Sequence, residues 1–153
     1  MAMRILIADD RKDFAELLAL MVLHAGHEVA GVVTSGGLGA MRAYSECAPD
    51  LVLMDFMMPK YNGVTAARQI LSKDPGARVV LISGLSDTSE LQWAAADAGA
   101  MGVLRKPFSQ SQLEELLAIL PFASFHLRAA FQEARSPDSL KQLTGDGTLH
   151  SKS

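Results

Sequence analysis

Residues 51–63 read LVLMDFMMPKYNG, which is a run of four apolar residues, an aspartate, and a loop that ends in Asn-Gly. A short, continuous apolar run after a Pro-Asp pair is typical of a β-strand that is buried on both faces of a parallel sheet. Asp55 therefore stands where this strand, Leu51 to Met54, ends. Gly63 to Lys73 then has the pattern of a helix. The stretch predicts one strand–loop–helix unit.

The same alternation of strand and helix is repeated along the first 120 residues. The other predicted strands are Arg4 to Ala8, Glu28 to Val33, Val79 to Ile82 and Gly102 to Arg105. The other predicted helices are Phe14 to Met21, Leu38 to Cys47, Ser86 to Ala98, and a last one from the Ser109–Gln112 capping box to Leu120. Such alternation predicts an α/β fold with a doubly wound, five-stranded parallel sheet and helices on both faces.

The composition is that of one globular domain with a short appendage, since 49% of the 153 residues are hydrophobic and 20% are charged. The longest apolar run, Leu17 to Leu23, is far shorter than the roughly 20 residues that cross a bilayer. No secretory signal is visible, and the single cysteine, Cys47, cannot form an internal disulfide. A net charge of −3 provides no basic excess for nucleic acid. We expect a cytoplasmic protein with neither a membrane nor a nucleic acid as direct partner.

The chain divides by composition near Pro121. Residues 1–120 carry 10 Lys+Arg and 14 Asp+Glu, whereas residues 121–153 carry 4 and 3. The second segment contains three of the six phenylalanines, and its helical pattern covers residues 122–135 before a polar tail. We therefore expect a folded domain over 1–120 and a C-terminal extension over 121–153 with one extra helix.

Polar residues follow four of the predicted strands at the point where each strand ends. Asp9-Asp10 follows the first strand, Asp55 the third, Ser83 the fourth and Lys106-Pro107 the fifth. The carboxyl ends of parallel strands meet at one edge of a sheet, and sites in such folds lie there. The sequence thus predicts that three carboxylates, a hydroxyl and an ammonium converge.

This set of groups fits magnesium and phosphate chemistry. Three adjacent carboxylates repel one another, and a hard divalent cation with oxygen ligands relieves that repulsion. Lys106 and Ser83 can bind phosphate oxygens. A carboxylate beside a metal and a lysine is a competent nucleophile toward phosphorus and would form an acyl phosphate.

The combination resembles the receiver domain of bacterial two-component response regulators, the class that includes the chemotaxis regulators. The matching pieces are Asp9-Asp10, the D-x-x-M-P-x-x-x-G run from Asp55 to Gly63, Ser83-Gly84, and Gly99-Ala100 leading to Lys106-Pro107-Phe108. They cover residues 3 to 120, nearly all of the predicted domain. The resemblance implies a flavodoxin-like (βα)5 fold with strand order 2-1-3-4-5.

The resemblance also implies a role for each matching residue at the phosphorylation site. Asp55 is expected to accept a phosphoryl group, and Lys106 to bind the phosphoryl oxygens. Ser83 corresponds to the switch hydroxyl that moves toward the phosphate, with Gly84 as the small residue behind it. Pro107 is placed for the cis Lys-Pro bond of the family.

The implied cofactor is Mg²⁺, with Mn²⁺ as an alternative ion. Asp10 and Asp55 would be direct ligands and Asp9 would act through water. The backbone carbonyl of Met57 would complete the set. The implied partners are a sensor histidine kinase or a histidine phosphotransfer protein, an unspecified downstream target, and a second copy that pairs through the fourth and fifth helices or the extension.

Four positions suggest how this chain differs from the receivers that it resembles. Val103 stands where the family usually has the aromatic ring that rotates inward on activation. Trp93 is expected to be partly buried, either as a plain core residue or in part of the volume left by that ring. In the family, the residues two beyond the acceptor and two beyond the switch hydroxyl flank the path of the attacking water. Here they are Met57 and Leu85, and both are apolar, which predicts a long-lived phosphorylated form.

Two other functions remain open alternatives to this non-enzymatic switch. One is a Mg²⁺-dependent phosphohydrolase with an aspartate nucleophile, but that chemistry needs a second acid where Met57 stands. The other is a flavodoxin-like binder of FMN, which would not need Asp9, Asp10 and Lys106 at the strand ends.

Overall fold

The computed structural model describes residues 2–59, 61–84 and 89–120. Along these residues the strands are β1 (Arg4–Ala8), β2 (Glu28–Val33), β3 (Leu51–Asp55), β4 (Val79–Ser83) and β5 (Gly102–Arg105). The helices are α1 (Lys12–His24), α2 (Gly37–Cys47), α3 (Gly63–Lys73), α4 (Ser89–Ala98) and α5 (Gln110–Ile119). The predicted helix over 122–135, the tail beyond it and Leu85 lie outside the described residues.

The five strands form one parallel sheet in the order β2-β1-β3-β4-β5, which confirms the predicted architecture. β1 and β3 are paired at its centre, with Leu6 opposite Val52 and Ala8 opposite Met54. Because all strands run the same way, their carboxyl ends share one edge. The strand order reverses between β1 and β3. Folds of this kind place their sites at the carboxyl edge of the sheet at that point.

Alternate residues of each central strand point to opposite faces of the sheet, and each face has its own core. Ile5 and Ile7 of β1 pack in a cluster with Leu18 of α1 and Leu113 of α5. Leu6 packs in the second cluster, which includes side chains from α2, α3 and α4. Two buried faces explain why the strands are apolar throughout rather than alternating.

Polar caps fix the start of two helices. The Asn62 side chain accepts a hydrogen bond from the backbone N–H of Thr65 at the start of α3. Before α5, the Ser109 hydroxyl accepts from the N–H of Gln112, and the Gln112 side chain accepts from the N–H of Ser109. The capping box predicted from the sequence is therefore confirmed.

Trp93 is on the surface, so the expectation that it is partly buried was wrong. Its exposed fraction is 69%. On α4, the buried residues Leu91, Ala95 and Ala98 follow the i, i+4, i+7 spacing of one helical face. Trp93 is two residues from Leu91, roughly 200° around the helix, and points away from the core. It does not fill volume next to Val103, which is half-buried against the α2–α3–α4 cluster.

None of the helices in the described part of the chain is both long enough and apolar enough to cross a membrane.

Candidate functional site

Backbone hydrogen bonds continue past the strand ends and hold the site residues in place. The N–H of Asp9 donates to the Val33 carbonyl at 2.9 Å. The N–H of Lys106 donates to the Ser83 carbonyl at 2.7 Å, which ties the ends of β4 and β5 together. The side chains that follow β1, β4 and β5 are thus fixed relative to one another by the sheet itself.

The loop after β3 is closed tightly against Asp55. The N–H of Gly63 donates to the Phe56 carbonyl at 2.9 Å. A Cβ on Gly63 would collide with the Asp55 carbonyl oxygen and crowd the Phe56 Cα. Only glycine therefore permits this approach, which explains the small residue at the end of the D-x-x-M-P-x-x-x-G run.

Three carboxylates meet at this edge of the sheet, as the sequence predicted. One carboxylate oxygen from each of Asp9, Asp10 and Asp55 lies within 4.8 Å of the others. Asp9 and Asp55 are buried and Asp10 is exposed. Asp9 Oδ1 accepts the N–H of Arg11 at 2.8 Å, so the Asp9 carboxylate is oriented by the start of α1.

Lys106 supplies a cation to the two buried carboxylates. Its Nζ is 3.1 Å from Asp55 Oδ1 and 3.2 Å from Asp9 Oδ2. Burial raises the pKa of Asp55, and the charges of Asp9 and Asp10 add to this, while the hydrogen bond and charge of Lys106 act in the opposite direction. One ammonium thus compensates only part of the negative charge of the three carboxylates.

The donor set fits a hard divalent cation. All three side chains offer carboxylate oxygens, which are the ligands that Mg²⁺ prefers. The exposed position of Asp10 leaves one side of the group open to water, and Mg²⁺ usually keeps several waters. A bound cation would also relieve the repulsion that contributes to the raised pKa of Asp55.

The remaining predicted residues lie around Lys106 or next to Asp55. Ser83 is buried at the end of β4, and a Cβ on Gly84 would lie 4.0 Å from Lys106 Cδ. The Lys106–Pro107 peptide bond is cis. Met57 has an exposed side chain two residues beyond Asp55.

The structure adds two aromatic residues that the sequence analysis did not place at the site. The Lys106 Nζ lies over the ring of Phe14, 4.1 Å from its centroid. Phe108 contacts Phe14 edge to face, with centroids 6.0 Å apart and an interplanar angle of 87°. From the sequence, Phe14 belongs only to the apolar stripe of α1. Its contact with a residue at the far end of the domain is a consequence of the sheet order.

Comparisons with known proteins agree with this geometry. The family described as response regulator receiver domain matches residues 5–118. The chain is 37% identical over 117 residues to the chemotaxis protein CheY of Thermotoga maritima, covering 76% of this chain and 96% of that one. It is 34% identical over 113 residues to the DNA-binding response regulator MtrA of Mycobacterium tuberculosis, covering 74% of this chain but only 48% of MtrA.

Solved structures show the same fold. The receiver domain of the putative response regulator NarL from Mycobacterium tuberculosis superposes with a TM-score of 0.75 at 24% identity, covering 80% of this chain and 98% of that one. The CheX–CheY–BeF3–Mg²⁺ complex from Borrelia burgdorferi gives 0.72 at 25% identity, covering 79% and 90%. With the family matched over most of its length, this chain belongs to the receiver domains of two-component response regulators.

Proposed function

We propose that this chain is a phosphorylation-controlled switch in which Asp55 accepts a phosphoryl group from a phosphohistidine. The donor would be a sensor histidine kinase or a histidine phosphotransfer protein. The observation that carries the proposal is the position of the Asp55 carboxylate, which is buried beside Asp9 and Asp10 and in contact with the Lys106 ammonium.

The transfer is a substitution at phosphorus. A carboxylate oxygen of Asp55 attacks the phosphorus atom, the P–N bond of the phosphohistidine breaks, and the imidazole leaves with the electron pair and takes up a proton. The product is an acyl phosphate on Asp55, which a water molecule later hydrolyses to the free carboxylate and inorganic phosphate. Because the acceptor is the protein's own side chain, the reaction changes the state of the protein and turns over no separate substrate.

Lys106 and Ser83 would respond to the new phosphoryl group. Lys106 Nζ already lies at the Asp55 carboxylate and needs only a short movement to bind a phosphoryl oxygen. Ser83 is on the neighbouring strand, where its carbonyl accepts the Lys106 N–H. Movement of either residue strains the ends of β4 and β5, so α4 and α5 are the elements positioned to transmit the change. Val103 provides no ring for this transmission.

The residues that would hold the cation are Asp10, Asp55, the Met57 carbonyl and, through water, Asp9. Receiver domains bind Mg²⁺ at an acidic pocket of this kind, and Mn²⁺ is the natural substitute. When bound, the ion supplies positive charge for the phosphoryl oxygens. The ion would also compensate the part of the negative charge of the three carboxylates that Lys106 leaves uncompensated.

The domain assignment completes the proposal. Residues 1–120 would form the receiver, since the family matches residues 5–118 and α5 ends at Ile119. Residues 121–153 form an extension that, together with α4 and α5, is the candidate surface for a second copy or a downstream target. We propose no catalytic output for this chain.

Intact mass after treatment with acetyl phosphate tests the central claim. We expect the mass to increase by one phosphoryl group with Mg²⁺ and to remain unchanged with EDTA. Asp55→Asn should abolish the increase, whereas Asp13→Asn, which removes an exposed carboxylate from α1, should not. A phosphoryl group that persists in Asp55→Asn would contradict the assignment of the acceptor.

A further inference from the structure

The Lys106 ammonium is held from three directions. Two are the carboxylates of Asp55 and Asp9, at 3.1 and 3.2 Å. The third is the face of the Phe14 ring, whose centroid is 4.1 Å from Nζ. These contacts leave the Lys106 side chain only 21% exposed. The ring therefore covers a side of the ammonium that would otherwise face water.

The contact with Phe14 differs in kind from the two ion pairs. The ring face carries the negative part of the aromatic quadrupole, which attracts a cation within about 6 Å, and more strongly where water is excluded. The carboxylate of Asp55 changes its charge when it is phosphorylated or protonated. The ring keeps the same charge distribution in every state of the site. The attraction between the Phe14 ring and the Lys106 ammonium therefore does not depend on the charge of Asp55.

The Phe14 ring is itself fixed by a second ring. Phe108 meets it edge to face at 6.0 Å between centroids. Both rings pack against the core between the sheet and helices α1 and α5. Phe108 lies two residues after Lys106, so the segment that carries the lysine also supplies the side chain that orients Phe14.

We propose that Phe14 is a positioning residue for phosphoryl transfer, which keeps the Lys106 ammonium beside Asp55, and that Phe108 holds the Phe14 ring in place. The proposal rests on the proposed function of Asp55 as phosphoacceptor. Lysine has a long, flexible stem, and a side chain that is already ordered reaches a phosphoryl oxygen without further loss of conformational freedom. In this role Phe14 acts through Lys106, which its ring contacts.

A purely structural role for Phe14 makes a different prediction. If the ring only fills volume in the core, a side chain of similar shape and hydrophobicity should replace it without effect on Lys106. Pentafluorophenylalanine at position 14 keeps the ring but reverses its quadrupole, so it should repel the ammonium. Phe14→Tyr keeps an electron-rich ring face, and Phe14→Leu removes the ring.

The first measurement is the proton chemical shift of the Lys106 Hε atoms in metal-free protein. The ring current of Phe14 should move these resonances upfield in the parent and in Phe14→Tyr. In Phe14→Leu they should return to the usual lysine position. An unshifted Lys106 resonance in the parent would overturn the proposed contact, independently of any phosphorylation.

The second measurement is the rate of phosphorylation by acetyl phosphate at saturating Mg²⁺. We expect a decrease of about three- to tenfold with Leu or pentafluorophenylalanine at position 14, and a rate near that of the parent for Phe14→Tyr. If Phe14→Leu does not fold, the comparison between the parent and the pentafluorinated protein still tests the role of the ring, because the two side chains have almost the same shape. Equal rates for parent and pentafluorinated protein would overturn the role of Phe14 alone. A parent that gains no phosphoryl group would overturn the proposed function and this role with it.

Discussion

Lys106 Nζ lies 3.1 Å from Asp55 Oδ1, so the ammonium already pairs with the carboxylate that we propose as the phosphoryl acceptor. The lysine is anchored on the other side by Asp9, at 3.2 Å. Under the proposed function, phosphorylation of Asp55 would exchange one negatively charged partner of Lys106 for another. The position of the ammonium would then change more than the number of its charged partners.

Removal of the lysine should therefore separate modification from response. In Lys106→Ala we expect that Asp55 is still phosphorylated by acetyl phosphate, at a rate lowered at least as much as in Phe14→Leu, because the carboxylates that would hold Mg²⁺ remain. The chemical-shift changes of α4, β5 and α5 on phosphorylation should be largely lost. The measurement is a pair of ¹H–¹⁵N spectra with and without phosphodonor. Lys73→Ala, which removes an exposed lysine at the end of α3, is the matched control, and a full response in Lys106→Ala would contradict the role.

The raised pKa of Asp55 predicts how stability depends on pH in metal-free protein. A carboxyl group whose pKa is higher in the folded than in the unfolded state binds more protons when folded, between the two values. The contribution of Asp55 to the free energy of unfolding should therefore decrease as the pH rises from about 3.9 through the folded-state pKa of Asp55, and then level off.

Asp55→Asn should lack this decrease and be more stable than the parent at neutral pH in EDTA. Chemical denaturation at a series of pH values measures the effect. Asp13→Asn serves as a control because its carboxylate is exposed and outside the acidic group. Parallel pH profiles for the parent and Asp55→Asn would show that burial of Asp55 carries no electrostatic cost.

Asp10 is the member of the acidic group that faces water, and its removal should weaken metal binding. We expect weak binding of Mg²⁺ by the parent and a decrease in affinity of more than about tenfold in Asp10→Ala, since even outer-shell partners of a metal contribute that much. Calorimetric titration with Mg²⁺ measures this. Asp13→Ala removes the same charge from nearby in α1. An Asp10→Ala protein that titrates like the parent would place the cation elsewhere.

Much of the fold could be predicted because the start and end of each helix or strand depend on residues that are close together in the sequence. The bounds of β1, β2, α3 and β5 agree with the sequence, where capping, turn and apolar residues follow one another within a few positions. Helix α1 begins at Lys12, two residues before the predicted Phe14, because its first residues are polar and contribute nothing to the apolar period. The residues of the acidic group were predictable for a similar reason, since parallel strands bring their ends together.

The contacts between distant side chains could not be predicted in this way. The contact between Phe14 and Lys106 depends on the sheet order, in which β3 and β4 lie between β1 and β5. It also depends on the path of α1 along one face of the sheet. The exposure of Trp93, by contrast, could have been predicted from the sequence. The spacing of Leu91, Ala95 and Ala98 defines the buried face of α4, and the resemblance to relatives whose side chain at this position faces inward was the wrong guide.

The exposure of Trp93 gives a direct test of that correction. Trp93→Ala should change the free energy of unfolding by no more than about 0.5 kcal/mol. Leu91→Ala, on the buried face of the same helix, should cost about 2–5 kcal/mol. Trp93 is the only tryptophan in the chain, so quenching of its fluorescence by iodide reports its exposure in the folded protein. Protection from iodide, or a large loss of stability in Trp93→Ala, would show that the indole is covered.

The phosphorylated form should be long-lived for a receiver because Met57 and Leu85, the two positions expected to flank the path of the attacking water, are both apolar. Met57 lies two residues beyond Asp55 and is 58% exposed, and its side chain has no group that can orient a water molecule. Leu85, two residues beyond Ser83, is equally unable to do so. Hydrolysis of an acyl phosphate depends on the in-line position of the attacking water.

Replacing these residues by polar ones should therefore accelerate the loss of phosphate. For Met57→Asn combined with Leu85→Glu we expect a faster decay by about 5- to 30-fold, which corresponds to about 1–2 kcal/mol of barrier. The measurement is the decay of phosphorylated protein after excess phosphodonor is removed. Met57→Leu keeps an apolar side chain at the exposed position and should decay like the parent. If the double variant decays no faster, the approach of water is limited by another part of the site.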